Sequence, residues 1–249
     1  MKLKGIAFYT ICATLLISFV FLIITSFYRL SLYTAVENLT YDYKSDYIII
    51  DSGHGGEDGG AVSADGILEK DINLKISLYT EEILKLNGFN VIMSRKEDNG
   101  TENKQSNEIA SKKRSDLNNR LSLMKNNPDA IFVSIHLNKF TTSAASGAQV
   151  FYSASSFEIQ SKNLADSIQK SFSSQLQPNN KRVIKKGNSN AFLLKYAPIP
   201  AVIVECGFLS NAKDLNALKS ESYQKQVAFC ISNGIIEYQK NKDENNGKS

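Results

Sequence analysis

The hydrophobic pattern of this chain alternates between two kinds of segment. Short apolar runs rich in β-branched residues are typical of buried strands, whereas an apolar residue at every third or fourth position is typical of an amphipathic helix. Because the two kinds alternate, the pattern predicts an α/β domain whose mostly parallel central sheet is flanked by helices. The predicted strands are residues 47–50, 89–93, 130–136, 147–152 and 201–205, with a short edge strand at 181–186. The predicted helices are residues 71–88, 115–127, 157–176 and 220–239.

The first predicted helix shows the helical pattern clearly and the stretch at 96–113 does not. Five apolar residues of the helix fall on one face at a period of 3.6 residues, and Gly88 suits its C-terminal stop. They are Ile72, Ile76, Tyr79, Ile83 and Leu86. Residues 96–113 are rich in Asn, Glu, Lys and Ser without apolar periodicity. We therefore expect an exposed loop there.

The N-terminal segment differs in composition from the rest of the chain. Residues 5–28 contain no charged side chain, and about two dozen uncharged residues are long enough to span a bilayer as a helix. Lys2 and Lys4 precede this stretch, which places the N-terminus in the cytoplasm and the rest outside. We expect a transmembrane anchor within residues 1–30, with a cleaved signal segment as the alternative. Both interpretations put the rest of the chain outside the cytoplasmic membrane, either anchored or exported. A linker at 31–45, a folded domain at 46–240 and a polar tail at 241–249 follow.

Charge and cysteine content narrow the possible functions. The formal net charge of +4 over 249 residues is mild and spread along the chain, so it does not predict nucleic-acid binding. Three cysteines form neither a disulfide framework nor a cysteine-based zinc motif. We interpret Cys206 as a small buried residue rather than a nucleophile.

Four side chains suited to metal binding or proton transfer follow the predicted strands. His54 lies in a glycine-rich loop after the first strand, and Glu69 lies at the end of that loop, near the start of the next predicted helix. His136 and Glu205 end two later strands, and the chain has 2 histidines in all. Because ligands bind outside the carboxyl ends of the strands in open α/β sheets, the four side chains are predicted to form one site.

Two histidines and a glutamate are the ligands of many catalytic zinc hydrolases, in which water takes the open position. Zinc lowers the pKa of that water and polarises the substrate carbonyl group. A second carboxylate then takes the proton of the water and passes it to the leaving amine. The spacing does not decide which glutamate has which role. Glu69 shares a loop with His54, which suits a ligand, whereas Glu205 comes from a separate strand.

Four sequence blocks carry a resemblance to a known family. They are IDSGHGG at 50–56, EKDIN at 69–73, SIHLN at 134–138 and VECGFLSN at 204–211. With these blocks in order, the chain from about residue 46 to residue 237 resembles the zinc-dependent N-acetylmuramoyl-L-alanine amidases of bacterial cell walls, the amidase-3 group. The resemblance implies that His54, Glu69 and His136 bind Zn²⁺ and that Glu205 is the catalytic carboxylate.

The same resemblance implies further properties. Arg95 and Arg120 stand where the family carries arginines, and we interpret them, with Asn138, as substrate-binding, or for the arginines as structural. Ser52 stands where the family usually has proline, which changes the rigidity of the loop but does not change a metal ligand.

The substrate implied by the resemblance would be peptidoglycan, cut between N-acetylmuramic acid and L-alanine.

One anchor plus a bare catalytic domain looks like the sporulation- and germination-specific amidases, which prepare spore cortex and some of which need an activating protein partner. Two other functions stay open at this point. One is a different zinc hydrolase of the cell wall, a peptidase or a sugar deacetylase. The other is a non-catalytic wall-binding scaffold, although the presence of all four chemical positions favours an enzyme.

Overall fold

The structure is a computed structural model that describes residues 18–26, 47–101, 109–188 and 191–246. The chain separates into two units, Met1–Asp42 and Tyr43–Ser249. In the first unit, residues 18–26 are helical. Within the described part of the chain, no helix combines the length and the apolar character needed to cross a membrane. Most of the predicted anchor, residues 1–17 and 27–30, and the predicted linker at 31–45 lie outside the described residues.

The second unit is built on a six-stranded sheet with the strand order β2-β1-β3-β6-β4-β5. Strands β2, β1, β3 and β6 run parallel, β4 is antiparallel to β6, and β5 is parallel to β4 at the sheet edge. The predicted α/β class with a mostly parallel sheet flanked by helices is therefore confirmed. The strands are β1 (Tyr47–Ser52), β2 (Asn90–Met93), β3 (Ile131–Asn138), β4 (Gln149–Tyr152), β5 (Lys185–Lys186) and β6 (Ala201–Phe208).

Six helices cover the two faces of the sheet. One face is covered by α1, α3, α5 and α6, and the other by α2 and α4. A short π-helical turn at Phe172–Leu176 follows α3. The helices are α1 (Glu69–Leu86), α2 (Ile109–Lys125), α3 (Glu158–Ser171), α4 (Phe192–Tyr196), α5 (Ala212–Leu218) and α6 (Glu221–Asn246).

The alternation of side chains along β1 divides the core into two layers. Ile48 and Ile50 pack into the cluster shared with α1, α3 and α6, whereas Ile49 packs into the cluster with α2 and α4. Because side chains two residues apart share a face of a strand, Asp51 faces the same side as Ile49. This places a buried carboxylate opposite α2, at the carboxyl end of the strand.

Helix boundaries show where the hydrophobic pattern was incomplete. α1 begins at Glu69, two residues before the predicted start, and Leu86 is 81% exposed because it is the last helical residue. α2 begins at Ile109, within the predicted loop, since its first half is a polar helix without apolar periodicity. Residues 102–108 of that loop lie outside the described residues. α6 continues to Asn246, into the predicted polar tail.

The short helix α5 was not predicted. The side chain of Asn211 caps it by accepting hydrogen bonds from the backbone N–H groups of Lys213 at 3.0 Å and Asp214 at 3.1 Å. An asparagine before a seven-residue helical stretch is the signal that could have revealed it.

Candidate active site

The loop after β1 presents His54 in a strained backbone conformation. His54 has φ of 61°, in the left-handed region that residues other than glycine seldom adopt. Gly53 precedes it, and a Cβ atom there would stand 2.3 Å from Cε1 of His136. Only glycine therefore lets the loop pass this close to the second histidine, and the close passage brings the two rings together with centroids 4.9 Å apart.

The carboxylate of Glu69 joins the two histidines. It lies at the start of α1, where its Oε2 accepts a hydrogen bond from the N–H of Ala61 at 2.8 Å. Its Oε1 accepts one from the N–H of Leu137 at 3.0 Å. Nε2 of His54 lies 3.3 Å from Oε2, and Nδ1 of His136 lies 2.9 Å from Oε1. Two backbone N–H groups thus fix the carboxylate of Glu69, and the imidazole rings of His54 and His136 each lie within 3.3 Å of it.

These three residues form a cluster that could hold a metal ion. One ligand atom from each of His54, Glu69 and His136 lies within 4.8 Å of the others. The histidine side chains are 19% and 20% exposed and that of Glu69 is 5% exposed. The cluster is therefore closed on the protein side and open to solvent on the other, as a catalytic rather than a structural metal site requires.

Asp58 orients the ring of His54 from the side away from Glu69. Its Oδ2 lies 2.9 Å from Nδ1 of His54, which leaves Nε2 for the cluster. The hydrogen bond with His54 lowers the pKa of Asp58 to about 2. Burial alone would lower the pKa of His54, but hydrogen bonds to Asp58 and Glu69 outweigh burial and raise that pKa to about 9. Without a metal ion, His54 is therefore protonated at neutral pH and supplies the positive charge that the carboxylates need.

Glu69 stays ionised despite its burial. Burial would raise the pKa of Glu69, but the hydrogen bonds with His136 and His54 and the charges of both rings hold it well below its usual range. An ionised carboxylate and two imidazoles are the ligands that a divalent ion such as zinc prefers.

Glu205 lies beside the cluster on the neighbouring strand. It is paired in register with His136 across β3 and β6. Its Oε2 is buried and has no hydrogen-bond partner among the described residues. Burial, with a smaller contribution from the charge of Glu69, raises the pKa of Glu205 to about 7, although the charges of both histidines oppose the rise. Glu205 is thus a carboxylate poised to gain or lose a proton near neutral pH.

Four other residues considered in the sequence analysis, Arg95, Arg120, Asn138 and Cys206, differ in how far they are buried. Arg95 and Arg120 are 4% and 2% exposed, and both donate to backbone oxygens of the loop that carries His54. Asn138 is half-buried at the end of β3, where its backbone oxygen accepts a hydrogen bond from Leu209. Cys206 is buried, and burial raises the pKa of its thiol well above the ordinary value, which removes it as a nucleophile.

Ser52 has a partner that proline could not have. Its backbone N–H donates to Oγ of Ser94 at 3.1 Å. Proline has no N–H group and could not make this bond. At position 52 the backbone is therefore held by a hydrogen bond to the end of β2 and not by a rigid proline ring.

Sequence reasoning missed Asp58 and Asn73. Asp58 follows His54 by four residues in the same loop, which was a usable signal. The amide of Asn73 donates to the backbone oxygen of Gly53 and to Oε1 of Glu69, both at 3.3 Å, one helical turn after Glu69. Both residues support the side chains that could bind a metal.

The fold and the site define an α/β domain with a cluster at the carboxyl ends of the strands that could hold a catalytic metal ion. Residues 48–237 match the family described as N-acetylmuramoyl-L-alanine amidase, amidase-3. The chain belongs to this family and is an amidase.

The proteins similar to this chain include two amidases. The germination-specific N-acetylmuramoyl-L-alanine amidase of Bacillus subtilis is 30% identical over 237 residues, which cover 95% of both chains. The uncharacterized protein YqiI of the same organism is 36% identical over 191 residues, covering 77% of this chain and 84% of that one. Among solved structures, the CwlD amidase of Clostridioides difficile, in complex with the GerS lipoprotein, matches with a TM-score of 0.74 and 39% identity. That match covers 78% of this chain and 98% of the CwlD chain.

Proposed function

We propose that this chain hydrolyses the amide bond between N-acetylmuramic acid and L-alanine in peptidoglycan, with zinc bound by His54, Glu69 and His136. The observation that carries the proposal is the unpartnered carboxylate oxygen of Glu205 beside a cluster of two histidines and a glutamate within 4.8 Å. A ligand set and a separate acid–base group in one solvent-open site are what amide hydrolysis needs.

The residues present fit a zinc ion. One ligand atom from each of His54, Glu69 and His136 lies within 4.8 Å of the others, and the low pKa of Glu69 keeps its carboxylate ionised. Asp58 would keep Nε2 of His54 directed at the metal ion by accepting from Nδ1. Bound zinc would polarise the scissile carbonyl group and make a water molecule easier to deprotonate.

In this proposal Glu205 moves the proton during the reaction. As a carboxylate it accepts the proton of the attacking water, and as a carboxylic acid it donates that proton to the leaving nitrogen of L-alanine. In the metal-free protein, burial raises the pKa of Glu205 to about 7. A bound zinc ion would lower that pKa and favour the carboxylate form, which accepts the proton of the water.

The biological setting is proposed from the similar proteins. We infer that the substrate is spore cortex peptidoglycan, supported by the germination-specific relative that matches along nearly its whole length. We also infer that a protein partner takes part, supported by the CwlD structure that contains a lipoprotein. Residues 1–30 would anchor the enzyme or direct its export, since residues 5–28 carry no charge. N-terminal sequencing of the mature protein distinguishes an anchor from a cleaved signal.

The test combines metal analysis with product analysis. The purified chain, with zinc supplied, is incubated with purified cortex peptidoglycan. We expect one zinc ion per chain and release of peptides that begin with a free L-alanine amine, while the glycan strands stay intact. New amines within the peptides would indicate a peptidase, and free glucosamine nitrogen would indicate a deacetylase. Zinc binding without any cleavage, even with a candidate lipoprotein partner present, would contradict the proposed reaction.

A further inference from the structure

Two buried arginines hold the loop that carries His54. Arg120 comes from α2 and Arg95 follows β2, so they approach the loop from different elements. Their side chains are almost completely covered, with Arg120 2% and Arg95 4% exposed. Burying two guanidinium groups next to each other is costly unless every donor has a use.

Arg120 bridges the end of β1 and His54. Its Nη2 donates to the backbone oxygen of His54 at 2.9 Å, and its Nη1 donates to that of Ser52 at 3.0 Å. Nη1 also donates to Oδ1 of Asp51, and Nε donates to Oδ2 of Asp116 at 2.8 Å. Asp51 and Asp116 therefore hold the guanidinium group of Arg120 in place, while its Nη1 and Nη2 bind the backbone oxygens of the loop.

Arg95 grips the same loop from its other side. Its Nε donates to the backbone oxygen of Ser52 at 3.0 Å, and its Nη2 donates to that of Gly53 at 3.1 Å and that of Lys70 at 2.9 Å. Together the two arginines bind the oxygens of three consecutive residues, 52 to 54. Lys70 directly follows Glu69, so Arg95 also ties the loop to the start of α1.

The hydrogen bonds from the two arginines stabilise the strained backbone conformation of His54. A non-glycine residue at φ of 61° is strained and persists only where its surroundings fix it. Asp51, which holds Arg120, is also bonded to β3, because Oγ of Ser134 donates to Oδ2 of Asp51 at 2.6 Å. Ser134 lies two residues before His136. The chain of bonds from His54 through Arg120 and Asp51 thus ends beside the second histidine.

We propose that Arg120 and Arg95 are positioning residues that fix the distance between His54 and His136 and thereby set the zinc affinity of the site. The inference rests on the proposed metal role of His54. A substrate-binding role requires donors that face solvent, whereas both guanidinium groups lie beneath the loop and are bonded to it. The arginines act through the histidine and do not reach the substrate.

The test measures zinc affinity of the full chain by competition with a chromogenic chelator. The variants are Arg120→Lys and Arg95→Lys, which keep the charge but cannot grip two oxygens in a fixed fork. Arg114→Lys, on the exposed side of the same helix α2, is the matched control. Visible absorption of the Co²⁺-substituted proteins reports the ligand geometry, and thermal unfolding of the metal-free proteins reports folding.

We expect Arg120→Lys and Arg95→Lys to bind zinc roughly 10–100-fold more weakly and to change the cobalt spectrum. At saturating zinc, the KM for peptidoglycan should stay that of the wild type. Arg114→Lys should match the wild type throughout. If Arg120→Lys does not fold, Arg95→Lys carries the test, because it leaves the pair of Arg120 and Asp51 intact.

Two results would overturn the inference in distinguishable ways. If both variants keep wild-type zinc affinity and cobalt spectra, the grip does not position His54. If their KM rises at saturating zinc while zinc affinity is unchanged, the arginines serve the substrate. A wild-type chain that binds no zinc would instead refute the proposed metal site itself.

Discussion

Replacing Glu205 by glutamine should strongly lower activity and at the same time stabilise the metal-free protein as the pH rises from 4.5 to 7 and above. Glutamine has nearly the same shape but cannot carry a proton between water and the leaving amine. Loss of a positioned acid–base group lowers kcat by roughly 10²–10⁴-fold. The stability effect has the opposite sign, because the wild-type carboxylate is forced to ionise in a buried place.

The size of the stability effect follows from two pKa values. The pKa of Glu205 is about 7 in the folded protein and 4.5 as its ordinary value. Each pH unit between them corresponds to about 1.4 kcal/mol, so ionisation destabilises the fold by about 3 kcal/mol. The folded pKa is raised, so this group's favourable contribution is complete below pH 4.5 and is lost as the pH rises to about 7. The glutamine variant has no such loss.

The assay is urea unfolding of metal-free wild type and Glu205→Gln at several pH values between 4.5 and 8. Relative to the wild type, the variant should gain about 3 kcal/mol across this range. Glu237→Gln, on the exposed surface of α6, is the control and should show no such gain. If the free energy of unfolding changes with pH in the same way for wild type and Glu205→Gln, the reasoning about the Glu205 carboxylate is refuted. Full activity of the zinc-loaded variant would refute the proton-transfer role.

Three further results are expected. Zinc must displace the proton from His54, whose pKa is about 9 in the metal-free protein. Calorimetry in buffers of different ionisation enthalpy should therefore show at least one proton released per zinc at neutral pH, and a buffer-independent heat would contradict this. Asp58→Ala should lower the pKa of His54 toward its ordinary value in an NMR titration and weaken zinc binding by roughly 10–100-fold, and unchanged values for both would show that Asp58 does not orient the ring. Gly53→Ala should prevent zinc binding, because the new methyl group would meet the ring of His136 at 2.3 Å. Gly59→Ala meets only the flexible end of Leu68 at 3.3 Å, and the reasoning fails if both glycine variants bind zinc equally well.

The positions of the candidate site residues could be predicted because strand ends are visible in a sequence. His54, His136 and Glu205 each follow an apolar run, and the topology of a parallel sheet brings such ends together. The role of Arg120 could not be read in this way. Its partners include the backbone oxygen of a residue 66 positions away, and backbone acceptors leave no trace in residue identity. The first half of α2 escaped prediction for a related reason, since a polar helix has no apolar period.

The position of β6 has a consequence for the order in which the protein is synthesised. β6 is the last strand in the sequence, yet it lies between β3 and β4 in the middle of the sheet. A chain that ended before Ala201 would leave the edge of β3 unpaired and would separate β4 and β5 from the other strands. It would also lack Glu205. A nascent chain therefore holds both histidines before it can form the site, and the enzyme stays inert until β6 has been synthesised and has joined the sheet.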